Sequence, residues 1–197
     1  MYKIFCFATI LFISLSPSIY SVECERNLSP DGRFVTYVRP TPGRIVDTAL
    51  GEMEATELWI SRVDGSEARM LIRGIYSDSP KKSIVGIGWP QFSPNGRRIY
   101  FLSSAWVTSE AVHVIDLESG HENYLCDGNS LEVIPRGKYA GYLIVNQHRY
   151  FLGGGSYDWF WLLTSEGKQI DPIASGDEES LEFFREMYIP SSPGRKK

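Results

Sequence analysis

The chain has 197 residues, a formal net charge of −4 and a sequence pI near 5.5. An acidic balance of this kind leaves no electrostatic footprint for a phosphate backbone, so nucleic acid is not an expected partner. Without an N-terminal leader about 175 residues remain, enough for one domain with its own core but not comfortably for two.

Met1 to Ser21 reads as a secretory signal peptide. Lys3 supplies the positive start, Ile4 to Leu15 the apolar run, and Ser16-Pro17-Ser18-Ile19-Tyr20-Ser21 a small, polar exit. The apolar run is about a dozen residues, whereas a bilayer-spanning helix needs roughly 20, so no stable membrane anchor is expected. Ser21-Val22-Glu23, ahead of Cys24, lacks the small apolar pattern of a lipidated cysteine. The expectation is therefore a periplasmic or secreted protein. Cys6 leaves with the leader, and Cys24 and Cys126 remain. They either form one disulfide in an oxidising compartment or stay as two buried free thiols.

Residues 22–175 carry an internal repeat. Three segments align: Asn27-Leu28-Ser29-Pro30-Asp31-Gly32-Arg33-Phe34, Gln91-Phe92-Ser93-Pro94-Asn95-Gly96-Arg97-Arg98, and Val133-Ile134-Pro135-Arg136-Gly137-Lys138. Pro presets φ at the first corner of a turn, Asp or Asn bonds the following backbone, and Gly takes a conformation other residues resist. The third copy, with Arg136 in place of Asp31 and Asn95, is degenerate. After each turn comes a hairpin signal between β-prone runs, at Asp64-Gly65, Ser119-Gly120 and Glu166-Gly167. Each repeat thus holds four strands, predicted near 25–28, 34–38, 58–62 and 68–72 in the first repeat. The second has 89–92, 99–103, 112–116 and 123–126, and the third 131–134, 142–145, 159–163 and 169–173. Pro94 and Pro135 are 41 residues apart, a normal blade interval. Pro30 and Pro94 are 64 apart, and the excess falls in two polar, Pro/Gly-bearing stretches, 39–57 and 73–88, read as inserted loops. Phe160, between Trp159 and Trp161, predicts a third strand buried on both faces. Residues 176–197 differ: Asp177 to Met187 has acids in its first turn and apolar residues at 181, 184 and 187, a short amphipathic helix. Pro190 to Lys197 is predicted to be disordered.

The Ser-Pro-Asp-Gly turn, the strand after it and the later Asp-Gly hairpin resemble the repeats of TolB-like (WD40-like) β-propellers, which also occur in prolyl oligopeptidase-type proteases. The resemblance covers roughly Cys24 to Ile173. It implies an all-β fold of about three four-stranded antiparallel blades with a short C-terminal helix, in a periplasmic protein that acts through protein contacts. The residues that carry it (Pro30, Asp31, Gly32, Pro94, Asn95, Gly96, Pro135 and Gly137) are structural, so it transfers no catalytic or ligand residue. Closed propellers usually have about 4 to 8 blades. Three imply either an unseen fourth or an open array whose exposed edge is covered by the helix or by a second copy of the chain.

The search for chemistry yields little. The sequence has no Gly-Xaa-Ser-Xaa-Gly elbow, and no hydrolase domain is expected after the repeats. His121-Glu122 begins a zinc-protease pattern, but Leu125 stands where the second His belongs, and His113 lies inside a strand as a core or surface histidine would. No metal or cofactor is implied. Gly153-Gly154-Gly155-Ser156 lacks the Lys and helix of a phosphate loop and reads as a flexible turn. Asp47, Glu52, Glu54 and Glu57 cluster in the first insertion, suited to a solvated loop or a basic partner. Tyr150, Phe151, Tyr157, Trp159, Phe160 and Trp161 crowd around the glycines, and Tyr157, beside Asp158, is expected to be exposed for a protein or sugar partner. The leading expectation is a non-catalytic protein binding another envelope protein through Tyr157, Asp158, Asp47, Glu52 and Glu54. The alternatives are a carbohydrate- or peptide-acting hydrolase using carboxylates such as Asp47 and Glu57, and a homodimer completing a propeller.

Overall fold

The computed structural model describes residues 26–48 and 51–190. The leader 1–21, Cys24 and the tail beyond Pro190 lie outside these residues. The first sheet contains β1 (Arg26–Leu28), β2 (Phe34–Thr48), β3 (Gly51–Arg62) and β4 (Arg69–Arg73). The second contains β5 (Val85–Phe92), β6 (Arg98–Ser104), β7 (Glu110–Asp116) and β8 (Glu122–Asp127), and the third β9 (Ser130–Val133), β10 (Leu143–Tyr150), β11 (Ser156–Leu163) and β12 (Gln169–Ser175). Each is a four-stranded antiparallel meander in chain order, the form of a propeller blade. A helix, α1 (Glu178–Tyr188), follows.

The blades stack face to face, and alternation along each strand assigns its side chains to the two faces. Leu58 and Ile60 of blade 1 pack with Ile87, Phe92, Ile99, Phe101 and Ile115 of blade 2. From the other face of blade 2, Tyr100, Leu102, Val112 and Val114 meet Leu131, Val133, Leu143, Val145 and Leu163 of blade 3. Because blade 2 has a neighbour on each side, the middle five residues of both β6 and β7 are buried. The far face of blade 3, with Ile144, Phe160 and Leu162, is covered by Leu181 and Phe184 of α1. The predicted double-sided burial of β11 therefore holds for 160–163, while Trp159 remains 38% exposed. On α1 the docked face is formed by Leu181, Phe184 and Tyr188, and Met187, expected on that face, is exposed.

The first two turns share one hydrogen-bond pattern. The Ser29 hydroxyl donates to Asp31 (2.7 Å) and accepts from the Phe34 amide (2.9 Å), and Ser93 does the same with Asn95 (2.7 Å) and Arg98 (2.9 Å). The third turn corrects the expectation. Gly141, not Gly137, closes it, its amide donating to the Ile134 carbonyl at 2.8 Å, because Pro135 to Ala140 enlarge the loop. A side chain at Gly141 would meet Pro94 Cδ at 3.9 Å, just as one at Gly96 would meet Pro30 Cδ at 3.9 Å. Gly137 instead leaves room for the end of α1: a side chain there would come within 2.8 Å of Pro190 Cδ.

The first insertion is not a loop. Residues 39–48 extend β2 and 51–57 extend β3 into a long antiparallel pair whose register shifts between Pro40 and Ile45. The Pro40-Thr41-Pro42-Gly43 segment that suggested a loop makes a bulge, where missing amide donors are tolerated, and Gly43 has a φ of +72°. The second insertion contains a single 3₁₀ turn at Pro80–Lys82 and an isolated Ile75–Ile84 bridge before β5.

Candidate functional site

The hairpins joining the second and third strands of the three blades end on one side of the array, and their tips adjoin. Thr48 of the first hairpin lines a small cavity with Tyr76, Ser104 and Ala105, at the end of β6. Thr108, between β6 and β7, bonds the Tyr150 hydroxyl of blade 3 through its own hydroxyl at 3.2 Å. Asn129 braces the same junction, donating to the Thr108 carbonyl (3.1 Å) and accepting from the Glu110 amide (3.2 Å).

This edge exposes large apolar side chains. Val107 is 86% exposed, Tyr150 66%, Phe151 57%, and Leu152 projects fully. The glycine run allows this. Phe151 and Gly155 close the turn through the Phe151 amide and Gly155 carbonyl (3.0 Å), with Gly154 and Gly155 at φ values of +97° and +84°. Tyr157 is half-buried beneath this tip, its ring 4.6 Å from Phe151 and 6.4 Å from Trp159. Asp158 lies on the opposite face of the hairpin, where His148 Nδ1 holds it at 2.9 Å. Tyr157, expected to be exposed, is half-buried, and Phe151 and Leu152 supply the exposed surface of this hairpin. An apolar dipeptide directly ahead of three glycines was the sequence signal for it.

Asp47, Glu52 and Glu54 sit on the tip half of the first hairpin, with Asp47 opposite Glu52 and Ile45 opposite Glu54. Among the described residues none of the three is in a salt bridge. Like charges facing each other across a rung repel, so Asp47 and Glu52 make a concentrated acidic spot. Glu57 is different. It is buried and held below the ordinary carboxylate range, first by the Trp59 indole N–H (2.9 Å) and also by Arg73 (2.9 Å). It lies five residues along β3 from Glu52, an odd step onto the opposite face and about 16 Å along the strand. Asp47 and Glu57 are therefore too far apart for the roughly 5 to 10 Å of a glycosidase carboxylate pair.

One constellation went unread in the sequence. Ser103 Oγ lies 3.0 Å from His113 Nε2, and His113 Nδ1 lies 2.5 Å from Glu122 Oε1. The connectivity is that of a serine-hydrolase triad. Ser103 and His113 are both fully buried, Ser103 also bonds the Ser83 carbonyl (3.2 Å), and the His113 ring stacks on Phe101, so no substrate reaches the hydroxyl. It is a satisfied polar network in the core of blade 2. Cys126 also lies in that region, packed against the core between blades 2 and 3, and burial pushes its thiol up to about 12. The Cys24–Cys126 disulfide falls outside the described residues. Among those residues no group of three or more metal-ligating side chains occurs, and no helix is long and apolar enough to cross a membrane.

No protein-family model and no curated protein matches the chain. Solved structures with similar coordinates include the β-propeller domain of the Trilobed protease from Pyrococcus furiosus (15% identity, TM-score 0.47, 75% of this chain and 40% of that one). TolB from Acinetobacter baumannii is similar at 12% identity and a TM-score of 0.46, over 77% of this chain and 33% of TolB. An acylaminoacyl peptidase from Pyrococcus horikoshii is similar at 15% identity and a TM-score of 0.48, over 76% of this chain and 24% of the peptidase. The chain spans less than half the length of each.

Proposed function

We propose that this is an exported, non-catalytic binding module that grips another envelope protein with the hairpin-tip edge of its blades. The observation that supports this is the exposure of Val107, Tyr150, Phe151 and Leu152 at adjoining hairpin tips of blades 2 and 3, with acidic Asp47 and Glu52 paired at the end of the first hairpin. Apolar side chains projecting from a braced scaffold lose little entropy on docking, and aromatic anchors dominate binding energies. The fitting partner has an apolar pocket flanked by basic residues. The readout is affinity capture from a native envelope fraction, comparing wild type with Phe151→Asp/Leu152→Asp. A partner retained by wild type and lost by the variant is expected, and a variant that recovers the same proteins as wild type would sink the proposal.

A further inference from the structure

The two ends of the blade stack differ. On blade 3 the outward face is covered by α1. On blade 1 the outward face is defined by cross-strand register: Leu28 opposite Val35, Arg26 opposite Tyr37, Tyr37 opposite Trp59, and Trp59 opposite Met70, with Arg39 on the same face. Val35, Tyr37, Trp59 and Met70 belong to none of the three clusters, although Tyr37 is buried and Val35 and Trp59 are half-buried. Leu28 is 56% exposed and Met70 38%. The Arg39 guanidinium lies 4.8 Å from the Tyr37 ring centroid and 4.9 Å from that of Trp59. Arg39 lies opposite the buried Glu57, which is bonded to Arg73, and among the described residues neither Arg39 nor Arg26 is in a salt bridge. This end is an aromatic face with an excess of positive charge, Arg26, Arg39 and Arg73 against Glu57.

The outward side of α1 has the opposite character. With Leu181, Phe184 and Tyr188 docked on blade 3, the helical period turns Glu179, Glu182, Phe183 and Glu186 to the other side, with Met187 beside them. Phe183 is 67% exposed and Met187 59%. Glu182 shares Arg185 with Glu178 and Glu132, while among the described residues Glu179 and Glu186 are in no salt bridge. An exposed Phe and Met flanked by carboxylates at one end match an aromatic, Leu/Met-bearing face with an excess of arginines at the other.

We propose that the protein self-associates head to tail, the outward side of α1 in one copy seating on the outward face of blade 1 in another. Phe183 and Met187 would cover Leu28, Trp59 and Met70, and Glu179 and Glu186 would neutralise Arg26 and Arg39. A contact between two different surfaces either closes or propagates. Two copies of a three-blade stack closing through two such contacts form a ring of six blades, within the 4 to 8 of closed propellers.

The test is sedimentation velocity of the purified chain over a concentration series, alone and with two surface variants, Phe183→Asp/Met187→Asp and Arg26→Glu/Arg39→Glu. Circular dichroism establishes that both variants are folded. Wild type is expected to self-associate, and each variant to weaken association by about tenfold or more. Each variant keeps one intact end, so mixing the two is expected to restore a heterodimer that neither forms alone. Three results overturn the proposal: a wild-type monomer at every concentration, an oligomer that neither variant weakens, or folded variants that fail to pair when mixed.

Discussion

Asp31 and Asn95 occupy the same corner of successive turns, and each accepts a serine hydroxyl and a backbone amide through Oδ1. The carboxylate and the carboxamide therefore make the same turn with different charge. The Ser29 hydroxyl first, then the Arg33 amide and guanidinium, hold the Asp31 carboxyl down to about 2. A folded-state value below the unfolded one, near 3.9, means that Asp31 contributes stability above about pH 4 and loses it as the pH falls toward 2. Asp31→Asn keeps the acceptor and removes the titration. The expected result, read by circular dichroism in an acid titration, is a wild-type-like fold at neutral pH and an acid-unfolding midpoint displaced to lower pH. These turns were legible in the sequence because every bond in them spans at most five residues. The roles of Gln91 and His113 were not, since their partners lie up to 42 residues away and on other strands.

At the scale of elements, α1 shows what periodicity does and does not fix. The Asp177 side chain caps the helix by accepting from the Ser180 amide at 2.8 Å, and Glu178 and Glu179 complement the helix dipole, as the acidic first turn implied. Residues 181, 184, 187 and 188 are all apolar, so the spacing alone fits either Met187 or Tyr188 as the last docked residue. Tyr188 wins because its ring packs on Tyr139 at 5.4 Å and Phe184 at 5.0 Å, in the enlarged third turn that the sequence did not place. Two alanine substitutions separate these positions. Phe184→Ala opens a cavity between helix and blade and should cost about 3 to 5 kcal/mol, whereas Met187→Ala should stay within about 0.5 kcal/mol, both measured by urea unfolding. The β2–β3 hairpin misled for a related reason. Two prolines and a glycine mark a loop when only local preference is weighed, but long antiparallel pairing absorbs them at a bulge.

For the whole molecule, cohesion depends on how one blade holds the next, since in a stacked repeat each unit contacts only its neighbours. Between blades 2 and 3 two carboxamides bridge the apolar core: Gln147 donates to the Asp127 carbonyl (2.8 Å), and Gln91 donates to the Leu131 carbonyl (2.6 Å) and accepts from the Val133 amide (2.9 Å), so its side chain acts as one rung of a ladder between the inner strands of two sheets. The corresponding residue in blade 1, Asn27, accepts from the Phe92 amide at 3.3 Å and makes a single bond. Gln91→Ala leaves a donor and an acceptor of β9 without their partner in a part-buried setting, and should cost about 1 to 3 kcal/mol. The distribution of that loss matters more than its size. If the blades unfold as one unit, amide hydrogen exchange will rise by the same factor in β6 and in β10. If the junction is the weak link, exchange will rise first in β9, β10 and α1, leaving blades 1 and 2 protected. The second pattern is expected, because α1 and blade 3 are held together by their own core, while Gln91 bridges the inner strands across the interface with blade 2.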